Sequence, residues 1–104
     1  MGDRLGQFEQ LILLALVRLR ENAYGVTVRQ EIAHRTGRDV SVGAVYTALE
    51  RLQRKGYVSS RLGDPTRERG GRAKRYFMIE APGEAALRAA QSAVAQMAEG
   101  AAYA

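Results

Sequence analysis

Ser41-Val42-Gly43-Ala44-Val45-Tyr46-Thr47-Ala48-Leu49-Glu50-Arg51-Leu52 is the stretch that decides the fold. Apolar residues recur at 42, 45, 46, 49 and 52, the spacing of one helical face. Ser41 stands where a hydroxyl caps a helix start, and Gly56 supplies the stop. Tyr57–Leu62 and Lys74–Ile79 then read as strands flanking Arg67-Glu68-Arg69-Gly70-Gly71-Arg72-Ala73. A polar-faced helix followed by a strand, a basic tip and a second strand predicts a mainly α chain with a β-hairpin wing, a winged helix-turn-helix.

Toward the N-terminus, Tyr24 to Thr36 reads as a helix with Tyr24, Val28 and Ile32 inward and Arg29, Gln30, His34 and Arg35 outward. Gly37 ends it, and Arg38-Asp39-Val40 is a link short enough for a helix-turn-helix. Arg20-Glu21-Asn22-Ala23 is a short polar connection. Before it, Leu5, Phe8, Ile12, Leu16 and Leu19 step along one face, and Leu11, Leu14, Ala15 and Val17 widen that face. A helix apolar over most of its girth is buried on several sides. In so small a domain this predicts that part of it meets another subunit.

Toward the C-terminus, Pro82 stands at the start of a last helix and Glu84 lies in its first turn, where a carboxylate suits the helix dipole. Leu87, Ala90, Val94, Met97 and Ala101 follow at intervals of three, four, three and four, a heptad seam about two heptads long. The alanines around them favour helix and permit close helix approach. Residues 1–80 are therefore expected to form the winged helix-turn-helix, and 81–104 a dimerisation helix with a frayed tail. The expected dimer interface comprises Leu5, Phe8, Ile12, Leu87, Ala90, Val94 and Met97.

The chain of 104 residues is long enough for one domain with a modest core. Its net charge is +5, and the pI near 10.1 favours an anionic partner. Ser41–Gly56 carries +2 and Tyr57–Glu80 carries +3, so the helix and hairpin hold the whole net charge. There are no cysteines, which excludes disulfides, thiolate catalysis and thiol redox sensing. His34 is the only histidine and lies on a polar face, so no metal site is expected. Acids are scattered and no Gly-rich turn joins a strand to a helix, which makes an enzyme the least expected class. Leu11 to Val17 is far too short to span a membrane, and Asp3 and Glu9 before it do not suit a signal peptide. Met1-Gly2 opens like a myristoylation site, yet position six is Gly6 rather than Ser or Thr. A cytoplasmic protein without cofactor is expected.

In the decisive helix, Val42, Val45, Leu49 and Leu52 are assigned inward, and Ser41, Gly43, Ala44, Thr47 and Ala48 toward a DNA groove. Small residues let a helix approach base edges closely, and Thr47 can hydrogen-bond or touch a thymine methyl. Tyr46 either packs its ring inward with the hydroxyl on a phosphate or is a satisfied core tyrosine. Arg51 adds a cation to the same helix. Arg67, Arg69, Arg72, Lys74 and Arg75 crowd the wing. Arg72, beside Gly70 and Gly71, suits a minor groove, and Arg69 and Lys74 suit phosphates. Tyr24, Gly25 and Thr27 open a helix whose free amides can hold a phosphate, or they simply start it.

Leu5-Gly6-Gln7-Phe8-Glu9, Tyr24-Gly25, Thr36-Gly37-Arg38, Ser41 to Tyr46, Leu49-Glu50-Arg51-Leu52, Lys55-Gly56 and Gly70-Gly71-Arg72 together resemble the PadR-like winged-helix transcriptional regulators. The similarity runs from about Leu5 to Arg88, and the single terminal helix resembles the smaller members. The resemblance implies a dimer in which the last helix packs on the partner's first. It also implies an effector cavity at that interface, for which Phe8, Ile12 and Met97 are the candidate residues. Two departures stand out. Ala81-Pro82 replaces the family's common Thr-Pro, a lost cap expected to cost about 1 kcal/mol. No Trp is present to act as an aromatic slab in the cavity, a part left to Phe8, Tyr103 or Met97.

The leading expectation is a homodimeric repressor on a pseudo-palindromic DNA operator, relieved by a small hydrophobic or aromatic effector. The alternative is a winged-helix protein-interaction module without DNA binding. An RNA-binding version, stacking bases on Tyr57, Tyr76 and Phe77, comes third.

Overall fold

A computed structural model describes residues 4–63 and 73–103. In chain order the elements are α1 (Gln7–Leu19), a 3₁₀ turn (Arg20–Asn22), α2 (Gly25–Thr36), α3 (Val42–Arg54), β1 (Val58–Leu62), β2 (Arg75–Ile79) and α4 (Ala81–Ala98). The architecture is a winged helix-turn-helix followed by a C-terminal helix. The expected elements are present, with boundaries moved by one residue at three places. Tyr24 is the extended residue before α2 rather than its first turn, and the strands begin at Val58 and Arg75.

α1 is the hub. It packs against α2, α3, β2 and α4. Ile12, Leu13, Ala15 and Leu16 are buried there with Val28 and Ile32 of α2, Val45, Leu49 and Leu52 of α3, Val58 and Phe77 of the hairpin, and Leu87 of α4. Full burial of side chains of this size is worth roughly 1.5–3 kcal/mol each. Gly37 takes a left-handed conformation (φ 74°) that closes α2, and its N–H reaches the Ala33 carbonyl. Gly56 (φ 81°) turns the chain from α3 into β1.

β1 and β2 pair antiparallel, Val58 opposite Ile79 and Leu62 opposite Arg75. The Phe77 N–H donates to the Ala23 carbonyl at 2.8 Å. Ala23 is extended and fully buried, so the connection expected to be a plain polar link docks on β2 and supports one of its peptide groups.

The start of α4 corrects the expected lost cap. Ala81 is the first helical residue, and the cap position belongs to Glu80. The Glu80 carbonyl accepts the first helical bond from the Glu84 N–H, and its carboxylate accepts from the Ser59 hydroxyl. A threonine at 81 would therefore not occupy the cap. The first turn is also pressed onto the head of β1: the Glu80 N–H donates to the Tyr57 carbonyl at 2.9 Å, and Gly83 is buried against that same carbonyl.

A methyl group on Gly83 would overlap the Tyr57 carbonyl oxygen, a backbone atom that cannot swing aside. Gly83→Ala is expected to lower unfolding stability by about 2–3 kcal/mol through forced separation of α4 from β1. Urea denaturation of the variant against wild type checks this, and an unchanged midpoint would contradict the close docking.

Candidate nucleic-acid interface

α3 presents one bare face. Ser41 caps the helix, its hydroxyl oxygen accepting the Ala44 N–H at 3.0 Å. Gly43, Ala44 and Thr47 are exposed, and the Thr47 hydroxyl donates back to the Gly43 carbonyl at 3.0 Å. Ala48 does not belong with them: it is buried among the core residues. Glu50 and Arg54 continue the stripe from Thr47 at helical spacing and are both exposed. Glu50, unassigned from sequence, puts a carboxylate on that face, where it suits a cytosine amino group and repels a phosphate.

Tyr46 is half-buried, its ring edge-on to Phe77 with centroids 6.3 Å apart. The ring lies over Gly25 so closely that any Cβ there would overlap it. Gly25 is therefore buried for packing, and its absent side chain lets the start of α2 sit beside the first half of α3. The Thr27 hydroxyl is taken up locally, accepting from the Tyr24 N–H at 2.9 Å and lying 2.7 Å from the Asn22 carbonyl, to which it donates.

Tyr24 meets the base of the wing. Lys74 Nζ lies 4.4 Å from the Tyr24 ring centroid and 3.3 Å from its hydroxyl, so these two expected site residues are brought together. Tyr24 is also edge-on to Tyr76 at 5.5 Å, and the Arg61 guanidinium lies 4.9 Å from the Tyr76 ring centroid. Sequence reasoning left Arg61 unassigned and saw Tyr76 only as an RNA-stacking ring. Its partner in that reading, Phe77, is buried, which removes the three-ring platform. Arg69, Gly71 and Arg72, with Arg67, lie outside the described residues.

Arg51 is drawn the other way. Its guanidinium lies 3.5 Å from Glu9 Oε2, and Lys55 Nζ lies 3.4 Å from the same oxygen. Glu9 Oε1 accepts the Gly6 N–H at 3.0 Å, which caps α1. Arg51, expected among the DNA-binding residues, thus also ties α3 to the start of α1. Burial is the largest influence on the Glu9 carboxyl and pushes it up. The Gly6 amide, then Lys55 and Arg51, outweigh it and hold the group below its ordinary range. On the surface, Arg18 and Arg35 both reach Glu31; the Arg18 hydrogen bond is foremost in holding that carboxyl low against some desolvation.

The residues expected at a dimer interface divide. Ile12 is 0% exposed and Leu87 5%, both inside the chain's own core. Neither can meet a partner, and Ile12 is removed from the effector set as well. Leu5, Phe8 and Ala90 are half-buried, while Val94 (63%) and Met97 (82%) are bare. A groove of about 610 Å³ is lined by the end of α1, both strands and Glu84. Phe8, Ile12 and Met97 do not line it. No helix among the described residues is long and apolar enough to cross a membrane.

Residues 13–89 match the family described as Transcriptional regulator PadR-like family. Solved structures of similar fold include a PadR family transcription regulator from Clostridium difficile, with TM-score 0.75 and 19% identity, covering 90% of this chain and 93% of that one. Another is a putative transcriptional regulator from Thermoplasma acidophilum, with TM-score 0.72 and 22% identity over 88% of this chain and 84% of that one. A PadR family transcriptional regulator from Eggerthella lenta gives 0.71 and 24%, covering 88% and 77%. No curated protein matches the sequence.

Glu9→Gln is expected to cost about 1–2 kcal/mol of stability at pH 7, because it removes the charge that Arg51 and Lys55 share. A carboxyl held low in the folded state contributes stability above its unfolded value, near 4.5, and loses it as pH falls through the folded value. Wild type and variant should therefore converge in acid. Melting curves at neutral pH and well below pH 4.5 check this; a gap of constant size would refute the ionic tie.

Proposed function

Because this chain belongs to the PadR-like family of transcriptional regulators, we propose that it acts in the cytoplasm as a homodimeric DNA-binding repressor on a pseudo-palindromic operator. The family is one of regulators rather than enzymes. The observation that carries the reading is the seating of Tyr46 on Gly25. It sets the start of α2, with Lys74 stacked on Tyr24, beside the small-residue face of α3. A close-approach surface flanked by held cations suits a major groove bordered by phosphates. Ser41, Gly43, Ala44 and Thr47 would face bases, and Tyr24, Lys74 and the wing arginines Arg69 and Arg72 would face backbone or minor groove.

The dimer rests on α4. The molecule is 55 Å long against 31 and 20 Å, and its radius of gyration of 15.4 Å exceeds the roughly 13 Å of a compact chain this size. Val94 and Met97 lie bare on the projecting half. A second copy would cover them with its α1, around Leu5 and Phe8, and set two reading helices about one DNA turn apart. A small hydrophobic effector lodged between Phe8 and Met97 would change that spacing and release the operator. The competing reading, a protein-interaction module, needs the same bare face but makes the wing cations irrelevant.

If each subunit neutralises about four phosphates, log K against log salt should slope near −7. DNA selected from a random pool should carry a two-fold motif, and charge reversal at Arg72 and Lys74 should abolish binding. Binding indifferent to salt and to those reversals would favour the interaction module. Met97→Glu should shift sedimentation from dimer toward monomer; a wild type that already sediments as a monomer would remove the dimer from the proposal.

A further inference from the structure

Nine of the described cations are held in one of two ways. Arg18 and Arg35 lie on Glu31, Arg29 on Asp39, and Arg51 and Lys55 on Glu9, so each faces a carboxylate that cancels its charge locally. At the wing base the holders are neutral. Lys74 sits over the Tyr24 ring, Arg61 over the Tyr76 ring, and Arg75 donates to the Ser60 hydroxyl at 3.0 Å. A ring face orients a cation through its quadrupole and leaves the positive charge available to an outside anion. Arg38, over Phe8 at 5.6 Å, is held in the same manner but in the link between α2 and α3, away from the wing.

We propose that Arg61 is a further phosphate contact of the operator-binding surface, oriented by Tyr76. This rests on the DNA-binding reading above and adds a residue that reading does not contain. Lys74, Tyr24, Tyr76 and Arg61 form one continuous row, a cation at each end and two edge-on rings between. Three features fix the row. Sheet register puts Arg61 directly across from Tyr76. Gly63 leaves room for the Tyr76 ring, which any Cβ there would overlap. The adjacent residue Phe77 is bonded through its N–H to Ala23. The Arg61 side chain is exposed, and among the described residues no carboxylate lies within ion-pair range of it. Lys74 and Arg61 thus extend the basic surface from the start of α2 across both strands, the path a sugar-phosphate strand would follow along the wing. Tyr76 is a positioning residue: it aims Arg61 and braces Tyr24.

The test is duplex binding by fluorescence anisotropy over a salt series, with the selected operator and with random duplex. Losing one phosphate per subunit should flatten the slope of a dimer by about 2 and weaken both duplexes roughly sixtyfold at ~0.1 M salt. Arg61→Gln is expected to do this while Arg61→Lys keeps the slope. Arg61→Met, which retains an aliphatic chain on the ring, should repeat the result if the Gln variant folds poorly. Tyr76→Leu should weaken binding with the slope retained, and Tyr76→Phe should restore it. An unchanged slope in the Gln and Met variants overturns the proposal. So does a loss confined to the operator, which would mean that Arg61 reads bases. A wild type without salt-dependent duplex binding would instead sink the operator reading itself, and this proposal with it.

Discussion

The burial of α1 between the other elements is the constraint from which the rest follows. Ile12, Leu13 and Leu16 are closed in by α2, α3, the hairpin and the start of α4. At roughly 1.5–3 kcal/mol per side chain, these contacts outweigh the net 0.5–1.5 kcal/mol of a typical hydrogen bond. Once Val45, Leu49 and Leu52 are committed to α1, α3 has no rotation left: Gly43, Ala44 and Thr47 must face outward. The bare face is the geometric remainder of a core decision. Glu9 then pins the same pair of helices at one end, joining the cap of α1 to Arg51 and Lys55 of α3.

A second level of order lies in the glycines and rings that let elements approach. Gly25 beneath Tyr46, Gly63 beside Tyr76 and Gly83 against the Tyr57 carbonyl are three places where one methyl group would force a backbone or a ring aside. Each sits where two elements cross: α2 on α3, the wing on its own aromatic row, and α4 on β1. They set the relative attitude of α3, the wing and the terminal helix, while the apolar core supplies the bulk of the stability.

This division explains what could be read in the sequence. The helices, the stops at Gly37 and Gly56, the Ser41 cap and the hairpin all came from periodicity and turn chemistry, which are local. The pairing of Glu9 with Arg51 and Lys55 spans 42 and 46 residues, and that of Lys74 with Tyr24 spans 50. No spacing rule reaches so far, so Arg51 looked like one more basic residue on a basic helix, and Arg61 and Tyr76 had no evident partner. Ala48 and Ile12 failed for a different reason. A helical wheel gives direction but not depth, and both lie at positions where the chain's own core extends further round than one face. The Ala81 argument failed by one residue of helix boundary, which moved the cap to Glu80.

The terminal helix shows how composition compensates where burial ends. After Leu87 the chain leaves the core, and the last helical residues, 91–98, are all exposed. A helical segment of that length held by nothing is marginal in water, since nucleation is costly and each added residue returns little. The alanines at 85, 86, 89, 90, 93, 95 and 98 are the strongest helix formers available, and they keep the projecting half helical without side-chain support. Their small size also leaves a shallow surface on which only Val94 and Met97 stand out. Such a surface is too sparse to form a core alone and well shaped for a second apolar face laid along it. Local propensity thus holds the helix where burial no longer does.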